Sequence, residues 1–369
     1  MARAAEAILG DAIEAGLVVT NADSGPALRS RVLLAGHPRP DARSARAATS
    51  VLALVAEARR SDLVIVLLSG GASALLAAPA AGLSLRDKAK TSELLMHAGA
   101  GIDELNTVRK HLSRIKGGGL ARSTRARVVT LALSDVIGND VATIGSGPTV
   151  PDPTTFGDAL AVLRRRGLLQ RIPRPARDHL LAGARGQRRE TLKPRDAKSR
   201  RCSFRIVGDN RRAVAAAARE AARLGFVTRT LTTRLAGEAR HAGPRLVSKL
   251  AASRTGICLL ASGETTVTVR GTGSGGRNQE LVVASVRGLE AIAPAVLASL
   301  ASDGTDGRSD AAGGIADDRT LARARRAGLA APEAFLLAND TTGFLAALGD
   351  LIVTGPTGTN VLDLTVLLR

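Results

Sequence analysis

The most chemically suggestive stretch of the chain is Gly271-Thr272-Gly273-Ser274-Gly275-Gly276-Arg277-Asn278-Gln279-Glu280, behind Gly263-Glu264 and a predicted strand over Thr265–Arg270. Gly271, Gly273 and Gly276 satisfy the G-x-G-x-x-G spacing of dinucleotide sites between a strand and a helix. Alone, that pattern points to an NAD-dependent dehydrogenase. Its acidic partner is absent, because Glu290 precedes the next predicted strand, Ala295–Ala301, instead of ending it. An arginine directly behind the glycines better suits a phosphoryl group in transfer, whose charge a guanidinium can clamp. The following strand ends in Ser302-Asp303-Gly304-Thr305-Asp306-Gly307, with Asp310 beyond it. Such carboxylates favour a cation, with Mg²⁺ bridging phosphates, or else form an Asp-Gly turn. Thr354–Asn360 is richer in small hydroxyl residues than a hairpin requires, so Thr357, Thr359 and Asn360 can donate to a phosphate or a hydroxy acid.

Three earlier loops have similar character. Ser69-Gly70-Gly71-Ala72-Ser73 lies between a strand and a helix, where small residues let backbone N–H groups face an anion. A plain βα turn reads the same way. In Asn106–Gly119, Arg109, Lys110 and Lys116 crowd a predicted helix that ends in glycines, with Asn106, Arg109 and Lys110 on one face. That is either a solvated basic face or a place where something approaches the glycines closely. Ser134-Asp135 ends a strand and leads to Ser146-Gly147-Pro148-Thr149. Asp135 there can hold Mg²⁺, which needs only one or two protein carboxylates, or it can cap a turn. The histidines show no metal spacing, and no Ser-His-Asp order supports a hydrolase.

These loops need an α/β scaffold, and the chain supplies one. Strands are predicted at Gly16–Thr20, Asp62–Leu68, Arg127–Leu133, Phe204–Val207, Phe226–Leu231, Gly256–Leu260, Leu351–Thr354 and Val361–Leu367, besides the two above. Helical periodicity fills the gaps, as at Ala42–Arg60, Leu85–His97, Arg211–Leu224 and Asn278–Leu289, giving mainly parallel sheets. Arg185–Arg205 reads as a solvated loop or a hinge. A composition break near Ala251–Thr255 places a domain boundary there, giving domains 1–255 and 256–369. With 369 residues, 45% apolar, there is enough chain for two domains, and no apolar run is long enough to span a bilayer. Two cysteines, Cys202 and Cys258, suit free thiols in a reducing cytoplasm. The net charge of +19 raises nucleic acid as a partner, but there is no Trp or Tyr to stack on bases and the excess is mostly arginine.

In this order the pieces resemble the glycerate 2-kinase family with a C-terminal MOFRL domain, some of whose members have been labelled hydroxypyruvate reductase. The residues that carry the likeness are Gly36-His37-Pro38 with Pro40-Asp41, Leu68–Leu76, Asn106–Gly119, Ser134–Phe156, Gly263–Thr266, Gly273–Glu280, Asp303–Asp310, Asn339-Asp340 and Gly355–Asn360. The resemblance implies two Rossmann-like α/β domains with an active site in the cleft between them. It implies transfer of the γ-phosphoryl of ATP to the 2-hydroxyl of D-glycerate with Mg²⁺, and it leaves homodimer formation open. It casts Arg277 as the group that stabilises charge in flight, and Asp303 or Asp306 as Mg²⁺ ligand or proton acceptor. Asp135 is a second metal candidate. Ser69, Gly70, Gly71, Ser73, Asn106, Arg109, Lys116, Ser146, Gly273, Gly275, Gly276, Asn278, Thr357, Thr359 and Asn360 would hold nucleotide or substrate. An NAD(P)H-dependent hydroxypyruvate reductase is the alternative, and a basic nucleic-acid binder a more distant one.

The departures lie at Ala72, Thr341 and the start. Met1–Leu9 reads as the body of a helix with no capping residue before it. The family's preceding strand and its Gly-x-Gly-Lys-Ala turn have no counterpart here. The expectation is therefore a chain shortened at its N-terminus and impaired by the loss of that lysine.

Overall fold

Apolar Val, Ile and Leu runs form the strands, and capped amphipathic segments form the helices between them, in a computed structural model that describes residues 1–21 and 29–369. Met1–Ala132 with Asp140–Val207 pack as one unit, and Leu133–Asn139 with Gly208–Arg369 as another. The chain is α/β throughout, as its periodicity predicts.

The first unit runs α1 (Ala2–Leu9), β1 (Leu17–Thr20), β2 (Arg31–Leu34), α2 (Ala42–Glu57), β3 (Leu63–Leu68), α3 (Ala72–Leu75), α4 (Leu85–His97), α5 (Ile102–His111), α6 (Gly119–Arg122), β4 (Arg127–Leu133), α7 (Phe156–Arg165), α8 (Arg174–Ala184) and β5 (Cys202–Gly208). β1 and β2 pair in parallel as a small sheet of their own, and β3 and β4 pair in parallel in a second sheet ordered β3-β4-β5. Helices α2, α4 and α7 start at Asp41, Ser84 and Thr155, each closing a reciprocal capping box with the residue three further on. Each such cap contributes about 1 kcal/mol. Leu95, Val108, Leu112, Phe156, Leu163 and Leu180 form the main core of this unit.

The second unit continues α9 (Asn210–Arg223), β6 (Val227–Leu235), α10 (Ala239–Ala251), β7 (Ile257–Gly263), α11 (Arg277–Glu290), β8 (Val296–Ala301), β9 (Gly313–Asp317), α12 (Thr320–Arg326), α13 (Pro332–Ala338), α14 (Thr341–Leu348), β10 (Leu351–Ile352) and β11 (Asp363–Leu368). Its sheet is ordered β10-β9-β8-β11-β7-β6. β6, β7, β8 and β10 run one way, with β9 and β11 opposed to them. β7 is buried along its whole length, in keeping with its apolar run Ile257–Ala261, and its one polar side chain, Ser262, donates to Asp363 O at 2.6 Å. Leu246 and Leu250 of α10 and Leu281, Val282, Val286 and Leu289 of α11 close over the sheet. Each buried side chain of this kind contributes about 1.5–3 kcal/mol.

Several local expectations change. Thr265–Arg270 is not a strand. Only Thr266 bridges, to Glu238, while Glu238 also takes Thr268 N at 3.1 Å, and Asn339 Oδ1 takes the N–H groups of Arg270 and Gly271. Side chains thus satisfy donors that a ladder would otherwise use. β9 was hidden by its glycines, and these are required: a Cβ on Gly313 would collide with Ser299 O of the adjacent β8. The basic stretch after α8 is irregular, but it is tethered. Leu192 is fully buried, its N–H donates to Gly117 O at 3.0 Å, and Glu190 accepts Phe156 N at 2.8 Å.

α10 and α11 cross where Gly243 meets Leu281. A Cβ there would collide with Leu281 O and Ser285 Oγ, and the backbone oxygen has nowhere to move. Gly243→Ala should therefore cost about 1–3 kcal/mol despite alanine's better helix propensity. Denaturant unfolding measures this, and a neutral or stabilising result would show that the two helices can separate.

Candidate active site

In the first unit five of the expected residues converge. Gly71 adopts φ 81° at the start of α3, with the His37 ring against it, so the chain turns sharply and presents Ser73 inward. Arg109 Nη2 donates to Ser73 Oγ at 2.6 Å. Lys116 Nζ donates to Ser73 O at 3.1 Å, to Ser73 Oγ, and to Ser146 Oγ at 3.3 Å. Ser146 Oγ in turn donates to Asn106 Oδ1 at 3.1 Å. Ser146 is buried at φ 62°, a conformation that costs a non-glycine residue energy and persists where the surroundings over-determine it. Ser69 and Gly70 lie on the same loop, with Ser69 exposed. Because α3 is a single turn, the helix-end field expected there is slight, and side chains carry the charge.

The basic segment differs from its expected form. α5 ends at His111, before the glycines, and Gly117 and Gly118 adopt left-handed turns. What approaches them is the protein itself, because a Cβ on Gly118 would collide with Leu192. Lys110 shares α5 with Asn106 and Arg109 as expected, but its ammonium pairs with buried Asp152 at 3.5 Å instead of facing solvent. The solvated-face reading fails at Lys116, which is completely buried. Burial, then the charges of Lys88 and Arg109, push the Lys116 pKa well below its ordinary value. Burial lowers that of Arg109 too. Sequence reasoning missed Lys88. It lies with Thr91 and Leu95 on the buried face of α4, which the sequence alone does not announce.

The second unit gathers the remaining candidates. Arg277 opens α11 and forks onto Asp363, with Nε to Oδ2 at 2.6 Å and Nη2 to Oδ1 at 3.0 Å, while Nη1 donates to Glu264 at 2.7 Å. Burial opposes its charge, but the bond to Asp363 and the charges of Asp363, Glu264 and Asp306 outweigh burial and raise its pKa. Asp306 is buried beneath the start of α11. It accepts Asn278 N at 3.1 Å, Asn278 Nδ2 at 3.2 Å and Gln279 N at 2.9 Å. Burial raises its pKa against those donors. Asp303 is half-buried and accepts Thr305 N at 3.1 Å and Asn360 Nδ2 at 3.2 Å, while its carbonyl takes Thr357 N at 3.1 Å. Thr357 Oγ1 accepts Thr359 N at 3.2 Å, which closes that loop.

The glycines pack against the protein. A Cβ on Gly273 would strike Asp340, on Gly275 Thr341, and on Gly276 Asp306. With no strand before them they lack the setting of the dinucleotide fingerprint, whose spacing was the main support for the reductase reading. Asp363 and Glu264 are the partners that sequence reasoning did not assign to Arg277. Asp135 belongs to the second unit's Leu133–Asn139 segment and is engaged there. Among the described residues no group of three or more His, Cys, Asp or Glu gathers to hold a metal. Mg²⁺ does not require one when phosphates supply most of its oxygens. Asp303, a hard-oxygen ligand with part of its surface open, fits that use. Asp306, its oxygens taken by α11, does not.

Asp306 and Asp303 should therefore respond differently to truncation. Asp306→Ala orphans buried donors and should lose about 2–4 kcal/mol of stability, whereas Asp303→Ala should lose under about 1 kcal/mol. Denaturant unfolding of the two variants checks this, and equal losses would contradict it.

Residues 1–181 match the family model described as a domain of unknown function, DUF4147, and residues 257–363 match the MOFRL family. The MOFRL match begins inside the second packing unit, whose Gly208–Arg369 portion also includes α9, β6 and α10 ahead of the match. A glycerate 2-kinase from Pyrococcus horikoshii is 41% identical over 99% of this chain and 84% of its own length. A D-glycerate 2-kinase from Thermotoga maritima is 39% identical over 99% of this chain and 87% of its own. The crystal structure of a glycerate kinase from Thermotoga maritima superimposes with a TM-score of 0.91 at 39% identity, covering 100% of this chain and 88% of that one. Similarity of this extent and level shows that the chain belongs to the glycerate 2-kinase family with a C-terminal MOFRL domain.

Proposed function

We propose that this protein phosphorylates D-glycerate at its 2-hydroxyl, using ATP and releasing ADP and 2-phosphoglycerate. The observation that carries the reading is similarity over nearly the whole chain to relatives named glycerate 2-kinase. The geometry supports it with two kinds of group that phosphoryl transfer needs: buried cations, and an arginine fixed by carboxylates.

In this reading the hydroxyl oxygen attacks the γ-phosphorus as the bond to ADP breaks, and the hydroxyl proton passes to Asp303 and then to solvent. Arg277 stabilises the charge that spreads over the transferring oxygens. Its fork is held in place before reaction, so little reorganisation accompanies the chemical step. With Asp303 serving as the base, Mg²⁺ would be held through Asp135 and would neutralise phosphate charge. Ser73, Ser146, Arg109 and Lys116 hold an anionic group of nucleotide or substrate, and Thr357, Thr359 and Asn360 order the loop beside Asp303. The partners are small molecules, with no role for nucleic acid. Two free cysteines and no helix long and apolar enough to cross a membrane among the described residues fit a cytoplasmic enzyme.

Formation of 2-phosphoglycerate from D-glycerate, ATP and Mg²⁺ tests the assignment directly. Arg277→Lys keeps a cation beside Asp363 but loses the fork, and should lower kcat about 10²–10³-fold. Folded wild-type protein that makes no 2-phosphoglycerate, yet oxidises NADH with hydroxypyruvate, would overturn the kinase in favour of the reductase.

A further inference from the structure

Lys88 on α4 is 6% exposed, and its Nζ is buried with no hydrogen-bond partner. It is faced from α5 by Arg109 and from the loop beyond α5 by Lys116. α8, which also packs on α4, brings no compensating charge: Arg174 and Arg177 pair with Asp178, and His179 bonds His111 O. None of Lys88, Arg109 and Lys116 has a carboxylate partner among the described residues, although Lys110 beside them has Asp152. An ion pair is thus available in this region, and these groups have none. A structural lysine in such a place would be expected to carry a counter-ion.

The geometry points to a phosphoryl-dianion site formed by Lys88, Arg109 and Lys116 with the hydroxyls of Ser73 and Ser146, in which Lys88 supplies the charge that the dianion completes. A carboxylate monoanion would leave most of the buried positive charge uncompensated, whereas a dianion nearly balances it. The Ser73 hydroxyl, which accepts from both Arg109 and Lys116, is left with a hydrogen to donate. The site rests on the phosphoryl-transfer reading only for the source of its dianion, which is either the nucleotide's terminal phosphate or the phosphorylated hydroxy acid.

Burial, then Arg109, lowers the Lys88 pKa to about 7. The unfolded lysine, ordinarily at 10.5, therefore binds more protons than the folded one between those values. Without ligand, stability should rise with pH across that window, and the penalty should be complete below pH about 7. A bound dianion removes the penalty by favouring the protonated lysine.

Thermal unfolding at pH about 7, with inorganic phosphate as probe, tests the assignment in wild type, Lys88→Met and Lys88→Arg. Without phosphate, Lys88→Met should melt above wild type. Phosphate at about ten times its dissociation constant should raise the wild-type and Lys88→Arg melting temperatures by roughly 3–6 °C and leave Lys88→Met nearly unmoved. If Lys88→Met melts lower and responds to phosphate as wild type does, Lys88 is structural and the proposal fails. Calorimetric titration with ATP and with 2-phosphoglycerate then identifies the source as the ligand whose affinity falls tenfold or more in Lys88→Met. If neither affinity changes, the proposal also falls. A normal phosphate response in a protein without glycerate kinase activity would overturn the substrate assignment and leave this site standing.

Discussion

The second unit's site depends on one carboxylate at the start of one helix. Asp306 occupies the place where a side chain on residue 276 would stand, and it takes the N–H groups of Asn278 and Gln279 that no helical carbonyl can reach. Fixing that first turn fixes the direction in which Arg277 leaves the helix. Asp363, the first residue of a strand paired on both sides, and Glu264, just beyond the end of β7, meet the guanidinium there. Desolvation of Asp306 is offset only in part by three hydrogen bonds and by the positive end of the helix dipole. Without it, Arg277 would remain charged but would lose its aim.

The first unit handles charge in the opposite way. Lys110 bonds Asp152, tying α5 to the loop before α7, and His111 bonds Glu190, tying α5 to the irregular segment that follows α8. Beside them Lys116 is surrounded by hydroxyl and carbonyl oxygens, and the Lys88 ammonium has no hydrogen-bond partner among the described residues. Such a charge persists only where neighbouring structure is strong enough to hold it. Here the apolar cluster of Leu95 on α4, Val108 on α5, Leu112 just beyond α5 and Phe156 on α7 supplies that strength. Stability given up at a site and recovered in the core is the pattern expected of a binding surface rather than of a scaffold.

The scaffold was legible wherever local chemistry and fold agree. β4 spans the residues predicted, α4 does too, and the capping boxes at Asp41, Ser84 and Thr155 are visible as residue types at fixed spacing. Legibility failed where long-range partners decide. Thr265–Arg270 has strand composition, yet Glu238 and Asn339 capture its donors, and no local pattern announces a carboxylate 28 or 30 residues away. β9 has poor strand composition but pairs because its glycines let β8 approach. Within the site, Ser73, Asn106, Arg109, Lys116 and Ser146 were found from loops of unusual composition. Lys88 was not, because a lone lysine in an amphipathic helix looks like any solvated one until its burial is known.

The glycine-rich loop shows why spacing alone ranks ligands poorly. G-x-G-x-x-G has meaning only if the missing side chains leave room for a pyrophosphate on backbone N–H groups. In Gly273, Gly275 and Gly276 the room is taken by Asp340, Thr341 and Asp306, so these glycines serve helix placement. Anion recognition then falls to charged side chains: a fixed fork at Arg277 and a compact group of cations around Ser73. Side-chain charge is less selective for the shape of a nucleotide than a backbone nest, but its strength depends on what neutralises it. Arg277 is already matched by Asp363 and Glu264, so an incoming phosphate must compete with them. Lys88 is matched by no partner among the described residues. Under the phosphoryl-transfer reading the two sites therefore suit different moments: the unmatched cations favour an anion already formed, and the matched arginine favours charge that appears only as the phosphoryl group moves.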